Sequence, residues 1–103
     1  MSVPGLDPLI HAPVRLQICA ILAAADEAEF ALVREETGVS ESVLSKQVKL
    51  LEEAGYVAVR KATLASRQRT WLAITRAGRT AFAAHMQALT RLAATAASGV
   101  AAE

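Results

Sequence analysis

The chain of 103 residues is poor in the residues that define several protein classes. It has one cysteine, Cys19, so an internal disulfide is excluded and a reducing cytoplasm is expected. No apolar run reaches the roughly 18 residues that a membrane span needs. The first residues, MSVPGLDPLI, lack a basic segment followed by an apolar stretch, so we expect no secretory signal peptide.

Acidic residues are missing from most of the second half, with none between Ala54 and Ala102. Residues 1–53 carry nine acids and four bases, a net charge of −5, whereas residues 54–103 carry one acid and seven bases, a net charge of +6. Such asymmetry indicates a polyanionic partner such as nucleic acid. A basic surface that is merely solvated would show the same pattern.

Catalytic patterns are also missing. The sequence shows no nucleophile–base pair, paired carboxylates, glycine-rich phosphate loop or metal-ligand spacing. The two histidines, His11 and His85, are far apart in the chain. We therefore expect no enzyme activity, no cofactor and no metal site.

The most informative stretch that is present is the helix predicted over residues 41–54. Ser40 is placed to cap its free amides, Glu41 suits the positive end of its dipole, and Gly55 suits a left-handed ending. At 100° per residue an apolar face opposes a face of hydroxyls and cations. The apolar face comprises Leu44, Val48 and Leu51, and the opposite face comprises Ser42, Ser45, Lys46 and Lys49. Such a polar face suits the major groove of DNA, although any solvated helix can show it.

The preceding chain is predicted to be helical in three pieces: a short turn beginning at Asp7-Pro8, a helix over 13–25 and a short helix over 31–37. Residues 28–30 fit either an extended segment or the entry to the short helix. The short helix, the turn at Gly38 and the helix over 41–54 have the order and lengths of a helix-turn-helix.

After Gly55 the pattern changes to that of strands, over 56–61 and 69–74, joined by a polar-leaning connector over 62–68. Two strands around such a loop predict a β-hairpin. Its tip and flanks carry Arg60, Lys61, Arg67 and Arg69. Arginine on a projecting loop suits phosphate or a narrow minor groove, but the same cations could only keep an edge strand soluble.

Thr75 is placed to cap a long helix over 76–97, which carries an apolar stripe close to a heptad seam. The stripe can pack on the first helix or on its copy in a second subunit, and we expect both, with the C-terminal half at a two-fold interface. Residues 1–6 and 98–103 are expected to be flexible ends around one domain over 7–97.

These elements, in this order, are typical of a winged helix-turn-helix, a mainly α fold with a small β-hairpin (α+β). The segments HAPVRLQICAILAAA (11–25), FALVREETGVSESVLSKQVKLLEEAGYV (30–57) and RTWLAITRAGRTAFAAH (69–85) resemble the small winged-helix transcriptional regulators of the MarR and ArsR type. The resemblance covers about residues 7–95. The run LSKQVKLLEEAGYV matches the family's recognition helix and its glycine exit, and the T-x-x-G of Thr75 to Gly78 matches the usual entry to the last helix.

The resemblance implies a bacterial homodimer that binds double-stranded DNA, expected to be a repressor. Helix 41–54 would lie in the major groove, and the hairpin over 57–74 would be the wing. The positions that match DNA-facing residues of the family are Ser40, Ser42, Ser45, Lys46 and Lys49, with Arg67 and Arg69 in the wing. The hairpin cations Arg60 and Lys61 are further candidate DNA contacts. Gln47 could add base readout from the groove edge. The candidate dimer contacts are Leu16, Cys19, Phe82, His85, Met86, Leu89, Leu92 and Ala93.

The sequence departs from the metal-sensing relatives, which carry cysteine pairs or histidine clusters. Family members often bind small aromatic or lipophilic effectors, but no defined effector pocket is predicted here. The apolar surroundings of Cys19 favour a buried, inert thiol over a redox switch. The alternative function is a winged helix that binds another protein and no DNA, although the acid-free basic half disfavours it.

Overall fold

The computed structural model describes residues 3–99 and contains five helices and three strands in that range. Their bounds are α1 Pro8–His11, α2 Pro13–Ala25, β1 Glu27–Glu29, α3 Phe30–Thr37, α4 Glu41–Glu53, β2 Val57–Leu64, β3 Arg67–Ile74 and α5 Arg76–Ser98. The predicted winged helix-turn-helix with a long last helix is confirmed.

Helix α4 begins and ends as its sequence predicts. The Ser40 hydroxyl accepts a hydrogen bond from the amide of Val43 at 3.2 Å, which satisfies one free donor of the first turn. Ala54 is the C-cap, and Gly55 follows with φ +80°, a conformation that costs glycine little. The tight turn before α4 likewise uses Gly38 at φ +73°.

The sheet has three antiparallel strands in the order β1-β3-β2, whereas the sequence predicted a hairpin of two. Residues 27–29 form the extra strand, which settles the segment that the sequence left open between strand and helix. Ala28 lies opposite Leu72 and is buried, while Glu27 and Glu29 point to the other face. One buried alanine between two acids is too weak a strand pattern to recognise in sequence.

The predicted connector over 62–68 is corrected by the structure. Strands β2 and β3 continue through most of it, and Leu64 pairs with Arg67. A two-residue turn remains, formed by Ala65 at φ +51° and Ser66 at φ +66°. Two consecutive positive φ angles are typical of a type I′ turn, which usually carries Asn-Gly, so the sequence lacked its signal.

The core lies between the helices and one face of the sheet. Its fully buried members include Ile18 and Leu22 of α2, Val33 of α3, Leu44 of α4 and Leu72 of β3. These five side chains come from four different elements, so their burial fixes α4 against the sheet.

Helix α5 holds the fold at its N-terminal end and projects at the other. Phe82 packs against the core and α5 contacts α2, as the first alternative for its stripe predicts. Residues 91–99 are exposed throughout, and the molecule measures 62 × 25 × 23 Å. The last two turns of α5 therefore contribute little to the core of their own chain.

Candidate nucleic-acid interface

Helix α4 presents the polar face that its sequence predicts. Leu44 and Leu51 are fully buried and Val48 is 5% exposed. Ser40 and the four polar positions of the opposite face, Ser42, Ser45, Lys46 and Lys49, are all exposed. The helix thus offers short hydroxyls and long cations to solvent on a side that no other described element covers.

Gln47 is held by the protein and does not lie free at the groove edge. Its Oε1 accepts a hydrogen bond from Nη1 of Arg15 at 2.6 Å, and Nε of Arg15 donates to the carbonyl of Leu9 at 2.6 Å. One guanidinium therefore joins α1, α2 and α4. The Arg15–Gln47 contact holds α4 in place and engages the amide oxygen of Gln47, which disfavours the base readout suggested for this residue.

The wing, defined here as β2, β3 and their turn, has two faces that differ in chemistry. Lys61 lies opposite Thr70 on the face that also carries Val59 and Leu72. This face and α4 enclose an open cleft of about 660 Å³, with Ser45 and Lys49 on its other side. The cleft has an apolar floor and a lysine on each wall, although Glu41 and Glu52 also line it.

The opposite face of the wing carries Arg60 and Arg69, and both are paired with acids of β1. Arg60 lies 3.1 Å from Glu27, and Arg69 lies 3.0 Å from Glu29. The Arg60 guanidinium also lies over the Trp71 ring, 5.6 Å from its centroid. These ion pairs could not be predicted from the sequence, because their partners are more than 30 residues apart in the chain and only the pairing of the strands brings them together.

The four predicted wing cations are therefore not equivalent. Lys61 faces the α4 cleft, and Arg67 is exposed beside the wing turn; no salt bridge is formed by either of them within residues 3–99. Arg60 and Arg69 are compensated by carboxylates on the outer face. The structure brings Lys61 together with Ser45 and Lys49, and separates Arg60 from that group.

His85 and Cys19 are fully buried within the single chain, which corrects their assignment as dimer contacts. Nδ1 of His85 accepts from the backbone amide of Asp7 at 3.0 Å, and its Nε2 lies 3.2 Å from Nδ1 of His11. The hydroxyl of Tyr56 donates to the Asp7 carboxylate at 2.6 Å. This network joins α1, α5 and the turn after α4, so His85 has no surface to offer a partner.

Burial and neighbouring groups shift the pKa values of His85, Cys19 and Tyr56. Burial lowers the pKa of His85, with the neighbouring His11 acting in the same direction and Asp7 opposing. Burial, with the nearby Asp7 charge, raises the pKa of Cys19 to about 11, so its thiolate is disfavoured and its reactivity is low. The hydrogen bond to Asp7, followed by burial, raises the pKa of Tyr56.

The other candidate dimer residues keep some exposed surface. Leu16, Phe82 and Leu89 are half-buried, whereas Met86 is 40% and Leu92 44% exposed. Ala93 lies on the projecting part of α5 and is exposed.

Metal-binding clusters and membrane-spanning helices are both absent from residues 3–99. Across residues 3–99, no group of three or more His, Cys, Asp or Glu side chains is arranged to hold a metal ion. No helix in that range is long and apolar enough to cross a membrane.

Residues 14–93, which run from α2 into α5, match a family model described as a winged helix DNA-binding domain. The chain belongs to this family. A curated relative, an uncharacterised protein of Methanocaldococcus jannaschii, is 32% identical over 74 residues, which are 72% of this chain and 80% of the relative.

Solved structures share this winged-helix fold. A transcriptional regulator homologue from Pyrococcus horikoshii OT3 is 26% identical with a TM-score of 0.77, covering 82% of this chain and 83% of its own. A MarR family transcriptional regulator from Silicibacter pomeroyi is 23% identical with a TM-score of 0.60, covering 82% of this chain and 58% of its own. The predicted resemblance to such regulators is thereby confirmed. For the Silicibacter pomeroyi protein the similarity concerns the fold alone.

Proposed function

We propose that this winged-helix protein is a homodimeric, sequence-specific regulator of transcription that represses by occupying promoter DNA. Helix α4 reads the major groove, and the wing contacts the backbone or the minor groove. The observation that carries the proposal is the exposed face of α4, with its serines and lysines beside a basic wing and its opposite face locked in the core.

The chemistry of α4 supports groove entry. Ser42 and Ser45 are short, so the helix backbone can approach base edges closely. Lys46 and Lys49 can reach phosphates or guanine acceptors. The core contacts of Leu44 and Leu51 fix the helix axis, so these polar groups keep their spacing as the protein docks.

The wing supplies sequence-independent attraction. Lys61 faces the α4 cleft and Arg67 stands beside the turn, so both can reach phosphates on the strand next to the groove that α4 occupies. Each such contact releases counterions and makes binding salt-dependent.

A second copy of this chain is the proposed partner of α5. Along this helix Met86 and Leu92 are exposed, Leu89 is half-buried and Ala93 is exposed. An isologous pairing of these helices would bury the stripe and place two α4 helices on one duplex. Half-sites about one helical turn apart would then be read together.

The test is a titration of the purified protein with duplex DNA from its own upstream region and with random duplex, at several salt concentrations. Six phosphate contacts per dimer predict a log–log slope of roughly −5. Lys46→Ala/Lys49→Ala and Lys61→Ala/Arg67→Ala should each weaken binding and flatten the slope. Light scattering on the same samples should give twice the 10.9 kDa of one chain.

The matched control is Arg76→Ala/Arg91→Ala, which also removes two positive charges but from α5. It should weaken binding less than either test pair, because the charges lie away from α4 and the wing. If the wild type binds no duplex even at low salt, DNA regulation is refuted, and the alternative of a protein-binding winged helix takes its place. Equal loss in all three pairs would refute the assignment of α4 and the wing.

A further inference from the structure

Strand β1 places Glu29 beside Arg69, an arginine that could otherwise contact DNA. Glu29 lies opposite Trp71 in the register, and its Oε1 accepts from Nη1 of Arg69 at 3.0 Å. The side chain of Arg69 is 40% exposed and that of Glu29 is 26% exposed. The pair is therefore open to solvent and to any anion that approaches the wing.

Arg69 lies on the side of the molecule where α4 begins. Arg67, Arg69 and Glu29 line an open cleft of about 350 Å³ together with Glu41, in the first turn of α4. In helix-turn-helix proteins the N-terminal residues of the recognition helix contact the base edges. A phosphate that passes α4 therefore comes close to Arg69.

The carboxylate of Glu29 makes no structural contact that stands out besides its ion pair with Arg69. Glu29 occupies the N-cap position of α3, yet its side chain makes no capping hydrogen bond there. Strand β1 is anchored without it, by the buried Ala28 and by backbone pairing of three residues with β3. An exposed ion pair of this kind adds little to stability.

We propose that Glu29 limits the affinity of the protein for DNA by competing with phosphate for the guanidinium of Arg69. This inference rests on the proposed function and deepens it. While the ion pair is formed, Arg69 adds no net positive charge to the wing. The carboxylate of Glu29 also repels the approaching DNA strand. Binding through Arg69 therefore requires the exchange of one anionic partner for another.

The size of the effect follows from the exposure of the pair. Breaking a half-exposed ion pair corresponds to between about 1.5-fold and 5-fold in an equilibrium constant. A dimer carries two such pairs, so a variant without the acid should bind random duplex roughly 2-fold to 25-fold more tightly. If each released arginine makes a phosphate contact, the log–log salt slope should also steepen, by about 0.9 per contact.

The experiment compares wild type with Glu29→Gln on random duplex across several salt concentrations. The matched control is Glu27→Gln, on the same strand, which frees Arg60. Arg60 lines neither of the two clefts at α4, so its release should change affinity less. Thermal melts check folding, and Glu29→Thr, a good strand former, serves as a second uncharged variant.

A double-mutant cycle with Arg69→Gln tests whether the effect passes through Arg69. In that background Glu29→Gln should tighten binding no more than Glu27→Gln does. Equal gains with and without Arg69 would overturn the proposal, as would a Glu29→Gln protein that binds no more tightly than the wild type. If neither wild type nor variant binds duplex at low salt, the proposed function and this inference fail together.

Discussion

A close contact between the start of α5 and the turn after α4 leaves no room for a side chain at Gly78. A Cβ atom built there would lie 2.2 Å from the carbonyl oxygen of Tyr56 and 2.9 Å from Cγ1 of Ile74. The same carbonyl accepts the amide of Thr75 at 3.0 Å. Because the nearest atom belongs to the backbone, Gly78→Ala must move α5 away from the chain that leaves α4.

The change in the free energy of unfolding caused by Gly78→Ala is the sum of three contributions. Overpacking a tight contact costs about 1–3 kcal/mol. Straining or losing the Thr75–Tyr56 hydrogen bond adds about 1 kcal/mol. Replacing glycine by alanine in a helix returns at most about 1 kcal/mol. The free energy of unfolding of Gly78→Ala should therefore fall by about 1–3 kcal/mol, which lowers Tm by several degrees in a domain of this size.

The assay is urea denaturation followed by circular dichroism at the α-helical signal. Ala77→Gly, one residue earlier and exposed, calibrates the helix-propensity term and should destabilise by up to about 1 kcal/mol. If Gly78→Ala equals or exceeds the wild type in stability, the close approach of α5 to Tyr56 does not constrain the fold, and the reasoning is refuted.

Two further predictions concern the buried histidine and the wing turn. Because burial lowers the pKa of His85 in the folded chain, the unfolded chain binds that proton more readily, and stability should fall as the pH drops below about 6.5. His85→Gln should show a smaller loss of urea midpoint between pH 7 and pH 5; an unchanged loss would contradict the assignment. Ala65→Asn/Ser66→Gly, which suits two positive φ angles, should raise the free energy of unfolding by about 1 kcal/mol or more. A lower Tm in thermal melts would show that the turn is not of this type.

Several local features were predictable because short-range physics determines them. The serine cap and glycine exit of α4 depend on a few neighbouring residues, and its two faces follow from helical periodicity alone. The long helix from Thr75 is predictable for the same reason, since the Thr75 hydroxyl accepts from the amide of Gly78 at 3.0 Å.

The errors occur where partners are distant in sequence or where a local signal is absent. Strand β1 has only Ala28 to bury, and the turn at Ala65-Ser66 lacks asparagine and glycine. His85 sits on a helical stripe that could equally face a second subunit, and only the packing of α1 onto α5 buries it.

The sequence by itself determined the helices, the hairpin, their order and the polar face of α4, because capping, periodicity and turn chemistry act over a few residues. It also determined the charge difference between the two halves. Only the tertiary structure decided which charged and polar side chains remain free to contact DNA. The register of β1 against β3 pairs Arg69 with Glu29. The guanidinium of Arg15 donates a hydrogen bond to Oε1 of Gln47, so that oxygen is already engaged within the protein. Electrostatic partners depend on distances of a few ångströms between remote segments, and folding sets those distances.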